Sequence, residues 1–377
     1  MKSTSCEKKC APNKGEISTS PSVNSFQLFT EGDDLYSSML TAITGAKEAI
    51  RLESYIFSDD SIGSQFCEAL AERARAGIKV RVHIDAAGSL FWFSRKMQHQ
   101  LRSNYVELHW FHRWSWHKPW RYNRRNHRKL LVVDNHVAFL GGFNIHKENS
   151  QAMYGDLRWR DTHISIRGPL VEVASQLFDS FWQRRLYWLP EQEQEQQGGR
   201  LLHNHTRTCR HRLRCIYSGA FANAKKYIYL TTPYFVPDSY TLEQLRKAAE
   251  RGVDVRLLLP RKSDVRITSW AAHHVYASLF AFGVRVYEYL PRVLHAKTVV
   301  IDDDWIIVGT ANLDYRSLFI NYEINLEATD RKLAAELKEQ FLQDLSQSEF
   351  ILSRNWERRG LKSRCLELLA IILKRWL

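Results

Sequence analysis

His127-Arg128-Lys129-Leu130-Leu131-Val132-Val133-Asp134, HRKLLVVD, opens an aliphatic run with a histidine and a lysine two positions apart. Residues i and i+2 of a strand project from the same face, so His127 and Lys129 sit together and Arg128 points the other way. The same order returns as HAKTVVID at His295 to Asp302. Aligning His127 with His295 also matches Lys129 with Lys297, Asp134 with Asp302, Gly142 with Thr310 and Asn144 with Asn312. One His-x-Lys arises readily by chance and is more often a surface pair than a site. Five matched positions in two copies are a repeat.

The repeat extends upstream. AIRLESYIF (Ala49 to Phe57) pairs with YIYLTTPYF (Tyr227 to Phe235), each a strand running into an aromatic-rich loop. Helical patterns follow at Ser64 to Gly77 and Leu242 to Gly252, each closed by a glycine suited to a helix C-terminus. Strands IKVRVHID (Ile78 to Asp85) and VDVRLLLP (Val253 to Pro260) come next. Each half therefore reads β-α-β, a variable insert, the His-x-Lys strand and a further strand, which predicts two similar α/β domains related by a pseudo-twofold axis. The polar stretch PEQEQEQQGG marks the junction. The predicted division is a disordered tail over 1–25, a first domain over 26–189, a linker over 190–200, a second domain over 201–352 and a basic amphipathic segment over 353–377.

The chain has 377 residues, 44% of them hydrophobic and 25% charged, a globular composition. Its formal net charge is +13, which favours an anionic partner, nucleic acid or an acidic membrane. Six cysteines imply no disulfide framework, and Cys209 and Cys215 beside His203, His205 and His211 fit no zinc spacing. The N-terminal residues lack the apolar core of a secretory signal, and no apolar run approaches the roughly 20 residues of a membrane span. A membrane role would place the protein on the bilayer surface.

Two imidazoles, two amines and two amides brought face to face suit one phosphate. With an ordinary pKa near 6.5, one imidazole can be neutral and attack phosphorus while the other, protonated, hands a proton to the departing alcohol. Lys129, Lys297, Asn144 and Asn312 supply positive charge and N–H donors, and the scheme calls for no metal or other cofactor. Glu323 lies at +28 from His295, and in the first copy the acid arrives at +34 as Asp161. Such carboxylates fix a histidine's tautomer; which serves which is open at this level. Asp134 and Asp302 complete the catalytic motif and read as turn carboxylates rather than proton carriers.

HRKLLVVDNHVAFLGGFN and HAKTVVIDDDWIIVGTAN resemble the double HxKxxxxD and G-[GST]-x-N signature of the phospholipase D superfamily. LESYIFSDDSIG, WRDTHISIRGPLV, TTPYFVPD and ANLDYRSLFINYEINL are similar to its bacterial cardiolipin synthase branch, in the short form without N-terminal membrane helices. The resemblance covers about Phe26 to Phe350. It implies two phospholipase D-like domains, each a mixed β-sheet flanked by helices, and a covalent phosphohistidine route. His127 would be nucleophile, His295 general acid and then base, and Asp161 and Glu323 would orient them. The implied reaction moves a phosphatidyl group to the glycerol headgroup of phosphatidylglycerol, with phosphatidylglycerol or phosphatidylethanolamine as donor. The alternative is a phospholipase D or nuclease-type phosphodiesterase that uses water.

Three segments bear on the partner. His109 to Lys129 carries seven Lys/Arg, four Trp and no acid, suited to stacked bases or to a bilayer interface. SLFWFSRKM (Ser89 to Met97) places four consecutive apolar residues in an insert, awkward for a soluble nuclease and natural for a lip in lipid. LKSRCLELLAIILKRWL (Leu361 to Leu377) puts Cys365, Leu369, Ile372 and Trp376 on one side and Ser363, Glu367 and Lys374 on the other, with Arg354, Arg358, Arg359, Lys362 and Arg364 nearby. Docking on the protein's own core is the competing reading of that helix. Together they favour an anionic phospholipid membrane over nucleic acid, and a peripheral place on the cytoplasmic membrane of a bacterium. Oligomeric state is not legible.

Overall fold

The computed structural model describes residues 23–185 and 198–353, with Trp356, Glu367 and Ala370 beyond them. Strands β1 (Ser25–Phe29), β2 (Ala49–Ser54), β3 (Lys79–Asp85), β4 (Glu107–Phe111), β5 (Leu130–Val133), β6 (Val137–Gly141) and β7 (His163–Arg167) form one sheet in the order β1-β7-β6-β5-β2-β3-β4. The second half supplies β8 (Gly199–His203), β9 (Tyr227–Thr231), β10 (Phe235–Val236), β11 (Asp254–Pro260), β12 (Arg285–Tyr289), β13 (Thr298–Ile301), β14 (Trp305–Gly309), β15 (Leu313–Asp314), β16 (Ile324–Thr329) and β17 (Ser348–Phe350). Its large sheet runs β17-β12-β11-β9-β13-β14-β16-β8, and β10 pairs with β15 apart from it.

The two large sheets share one plan. β2, β3 and β4 are parallel, as are β9, β11 and β12. The His-x-Lys strands β5 and β13 then pair antiparallel with β2 and β9. The mixed sheets and the pseudo-twofold are thus as expected. The upstream helices are Ser61–Arg75 and Ser239–Glu250, beginning three residues before the hydrophobic periodicity suggested. The reason is capping: Asp60 accepts the Ile62 and Gly63 N–H groups, and Asp238 those of Tyr240 and Thr241. Gly77 and Gly252 close the helices with φ of +86° and +87°, a conformation costly for any side chain.

Strand alternation sorts β5 between two cores. Leu131 and Val133 pack with the first half's helices, while Leu130 and Val132 join Tyr229, Val300 and Leu326 in a core shared by both halves. The predicted linker falls mostly in 186–197, outside the described residues, as do 1–22 of the tail. Most of the amphipathic C-terminal segment lies outside them too. Its described residues correct one assignment: Glu367, placed on the polar side, is only 5% exposed and has an interaction partner, and Ala370 packs with Val236 and Ala271. At those positions the segment docks on the protein. Cys67 and Cys209 are free and buried, and Cys215 is disulfide-bonded. No helix of the described residues is long and apolar enough to cross a membrane.

Candidate active site

Two short parallel bridges join the halves beside the repeat. In one, the His127 N–H donates to the Tyr322 carbonyl at 3.0 Å and the Tyr322 N–H to the Arg125 carbonyl at 2.9 Å. In the other, the Arg160 N–H donates to Val293 at 2.8 Å and the His295 N–H to Arg160 at 2.7 Å. Each bridge sets a histidine against the segment that carries the other half's acid. The pairing is therefore crossed. His127 Nδ1 lies 2.9 Å from Glu323 Oε2, and His295 Nδ1 lies 2.5 Å from Asp161 Oδ2.

The matched Gly142 and Thr310 positions explain the unequal spacing of the acids. A Cβ on Gly142 would sit 1.9 Å from Asp161 Oδ1, so glycine makes room for the first acid. Thr310 instead donates its hydroxyl to Glu323 Oε2 at 2.5 Å. Asn144 is held as well: its Oδ1 accepts the Ile56 N–H at 3.1 Å.

All eight polar groups are buried: both histidines, both lysines, both asparagines and both acids. Burial, with Lys129 and Lys297 adding, outweighs the nearby Glu323 and pushes His127 down to about 4. Burial together with Lys297 likewise pushes Lys129 down to about 7, and burial pushes Lys297 down to about 8. Burial alone would raise Asp161, but Lys297 and His295 hold it below the usual carboxylate range. The result is an enclosed site in which His127 is neutral and both lysines give up charge close to neutral pH. Lys297 Nζ also lies 2.7 Å from His295 Nδ1. That nitrogen offers one proton or one lone pair, not both. The Asp161 contact is the shorter one, so the lysine contact is the one to yield to an anion; burial and Lys297 lower the His295 pKa against the pull of Asp161.

Asp134 and Asp302 do not join this cluster. They sit past the far ends of β5 and β13. Asp134 accepts the backbone N–H groups of Lys47, Glu48 and Ala49 at 2.7–2.9 Å, and Asp302 those of Lys225, Lys226 and Tyr227 at 2.6–3.0 Å. They pin the chain entering β2 and β9.

Several supporting residues escaped the sequence reading. The Tyr55 ring meets His127 edge-on at 5.0 Å, and Trp159 lies 5.5 Å from His295. Asp85, fully buried, accepts from Arg125 and from the Asn126 N–H at 2.8 Å, fixing the approach to His127. Arg128 is fully buried on the opposite face of the strand, with Nε 2.8 Å from Glu53 Oε2 and Nη1 donating to His205 Nε2 at 2.7 Å. A buried arginine has no pattern of its own until its carboxylate is placed, and Glu53 is 75 positions away.

Comparison with known proteins agrees with this geometry. The family described as "Cardiolipin synthase, PLD-like domain" matches residues 39–183 and 217–345, once in each half. Cardiolipin synthase 2 of Bacillus cereus is 34% identical over 361 residues, covering 90% of this chain and 68% of that protein. Cardiolipin synthase 1 of Staphylococcus aureus is 32% identical over 363 residues, covering 92% and 72%. Among solved structures, phosphatidylserine synthase of Haemophilus influenzae superposes with a TM-score of 0.72 at 13% identity, over 93% of this chain and 95% of that one, a likeness of fold. Two matched repeats, a crossed pair of histidine–carboxylate contacts and relatives aligned across both halves lead to one assignment: the chain belongs to the cardiolipin synthase branch of the phospholipase D superfamily.

Proposed function

We propose that the protein is a phosphatidyltransferase that makes cardiolipin from phosphatidylglycerol through a phosphohistidine on His127. The observation that carries the covalent route is the crossed pairing, in which each imidazole is oriented by the other half's acid. Glu323 takes the Nδ1–H of His127 and leaves Nε2 as a nucleophilic lone pair. Attack on phosphorus forms the P–N bond as the P–O bond to the departing glycerol breaks. His295, oriented by Asp161, gives its Nε2 proton to that oxygen. A second phosphatidylglycerol enters, His295 takes the proton of its terminal hydroxyl, and the new P–O bond replaces P–N. Two phosphatidylglycerols become one cardiolipin and one glycerol. Lys129, Lys297 and the amide donors of Asn144 and Asn312 hold the phosphate oxygens. Incubating the protein with phosphatidylglycerol vesicles tests the reading: cardiolipin and glycerol in equal amounts are expected. Phosphatidic acid alone would mean that water is the acceptor, and no turnover with phosphatidylglycerol or phosphatidylethanolamine would overturn the assignment.

The lysines make anion binding depend on pH in a defined direction. Lys129 and Lys297, lowered to about 7 and about 8, are charged below those values and lose charge as pH rises through them. A bound anion restores the charge by drawing in protons. The affinity of sulfate as a competitive inhibitor is therefore full below pH 7 and falls above pH 8 by up to about tenfold per unit for each coupled proton. Proton uptake on binding at pH 8 should appear as buffer-dependent heat in calorimetry. A flat affinity from pH 6 to 9 would show lysines charged throughout.

Topology supports one surface for the substrate. β2, β3 and β4 are parallel, so the segments after them emerge at one end of the sheet, the end at which antiparallel β5 begins with His127. Those segments carry Phe91 at 92% exposure and Trp116 at 84%, with Leu90, Trp114 and Trp120 also exposed. Phe93 is instead buried against Phe57 at 5.3 Å and the Trp92 carbonyl accepts the Asp59 N–H at 2.7 Å, so the apolar insert is a lip tied down at these two residues. Such rings beside arginines suit the headgroup region of an anionic bilayer. Replacing Phe91 and Trp116 with serine should weaken sedimentation with phosphatidylglycerol vesicles by about tenfold or more, the scale of one buried aromatic ring. Unchanged partitioning would remove these residues from the interface.

A further inference from the structure

Behind the active site, between the Trp-rich loop and the end of the helix Leu170–Trp182, lies a cavity of about 550 Å³. Arg121 and Arg124 of the loop meet Arg184 there, over the rings of Phe111, Phe181 and Tyr322, and among the described residues no carboxylate lines it. Unlike the buried arginines, which are matched to acids (Arg125 to Asp85, Arg128 to Glu53 and Arg160 to Asp344), these three are exposed to solvent. Among the described residues, Arg121, Arg124 and Arg184 have no ion pair or side-chain hydrogen bond. Arg210 lies alongside, 5.8 Å from the Tyr322 ring, and feels the charge of Arg124. A concave surface carrying three guanidinium groups beside aromatic rings suits an anion.

The cavity is separate from the catalytic pocket. Tyr322 and Glu323 are consecutive in extended chain and project to opposite sides. Glu323 turns to His127, while the Tyr322 ring turns to Phe111, Phe181 and His205. The cavity still lies at the membrane-facing end assigned above. Its loop hangs from β4 and runs directly into His127, and Trp120, 69% exposed, is part of its lining.

We infer that this cavity is a second phosphate site, taking the glycerophosphate headgroup of an anionic phospholipid apart from the one being transferred. Guanidinium groups match phosphate oxygens in paired, charge-assisted hydrogen bonds. The volume exceeds that of a bare ion and leaves the glycerol unit against aromatic walls. The choice of a lipid rests on the membrane reading above; the phosphate chemistry rests on the cavity. Occupation would hold the enzyme on acidic membrane with its catalytic end facing the bilayer.

The test compares the wild type with R121Q/R124Q/R184Q and with K225Q/K247Q/K332Q, which removes equal charge at exposed lysines of the second half. Binding is read on vesicles of phosphatidylglycerol diluted in phosphatidylcholine. The arginine variant should lose about a hundredfold in affinity, the combined effect of three basic residues at an acidic surface, and the lysine control far less. Calorimetry with sn-glycerol 3-phosphate separates the sources. Arginine-dependent binding of that soluble probe assigns the site to phosphate free in water as well. Arginine-dependent binding to vesicles alone assigns it to the lipid. Equal binding by the two variants in both arms would overturn the site. The outcomes also separate the two proposals. Arginine-dependent vesicle binding by an enzyme that forms no cardiolipin would sink the transferase reading alone. Cardiolipin formation with no arginine-dependent binding would sink this one alone.

Discussion

Replacing His127 with alanine should lower cardiolipin formation by about 10⁴-fold or more, the scale seen when a covalent nucleophile is lost from a set of residues acting together. The wild-type imidazole is presented with little freedom: Glu323 holds Nδ1, Tyr55 packs on the ring, and the backbone N–H is bonded to Tyr322. Alanine leaves Lys129, Lys297, Asn144 and Asn312 in place, so substrate binding should survive while turnover is lost. Glu323→Gln separates orientation from nucleophilicity. It keeps the shape of the side chain but no longer favours the Nδ1–H tautomer, and a loss approaching 10⁴-fold is expected from that change alone. Vesicle assays of both variants, with thermal unfolding to confirm the fold, check the pair. Wild-type turnover in His127→Ala would refute the assigned nucleophile.

Arg128→Ala should be among the most damaging substitutions to stability, costing about 3–5 kcal/mol by leaving the Glu53 carboxylate buried without its partner. Arg128 and Glu53 are both fully buried, and among the described residues the other nitrogen close to the Glu53 carboxylate is His83 Nδ1, 3.7 Å away. The internal repeat supplies the rescue. The second half places Ala296 where the first has Arg128, and β9 carries Thr231 where β2 carries Glu53. Glu53→Thr alone strands a buried guanidinium and is also destabilising. Combined with Arg128→Ala it recreates a pairing the fold already accommodates, and it should recover most of the loss. Thermal midpoints of the two single variants and the double variant give the coupling directly. Additive losses would show that the ion pair is not what these residues contribute.

Much of this architecture is legible in one dimension because the chain states it twice. HRKLLVVD and HAKTVVID fix two strands, their polar faces and the correspondence of the halves, and the mixed sheets follow from the β-α-β segments before them. The edge strands β1, β8 and β17 were not legible, since strands of three to five residues carry too little periodicity to mark. The crossed assignment of Glu323 to His127 and Asp161 to His295 was not legible either. It depends on backbone bridges at Asn126–Tyr322 and Arg160–Leu294, and pairing between distant segments leaves no local signal. Gly142 and Thr310 held a clue, because a glycine and a hydroxyl at matched positions reflect different demands from their neighbouring acids. The arginine cavity draws on three separate segments and exists only once they meet.

A phosphatidyl group carried on His127 can be trapped as a covalent adduct. A phosphatidyl ester of p-nitrophenol needs no general acid to leave, so His295→Asn should still accept the phosphatidyl group but should be slow to activate the incoming glycerol hydroxyl. Rapid quenching and peptide mass spectrometry should then find a phosphatidyl adduct on His127, formed with a burst of p-nitrophenol equal to the enzyme present. An adduct on His295 in the wild type, or steady turnover in His295→Asn with no adduct and no burst, would contradict the account.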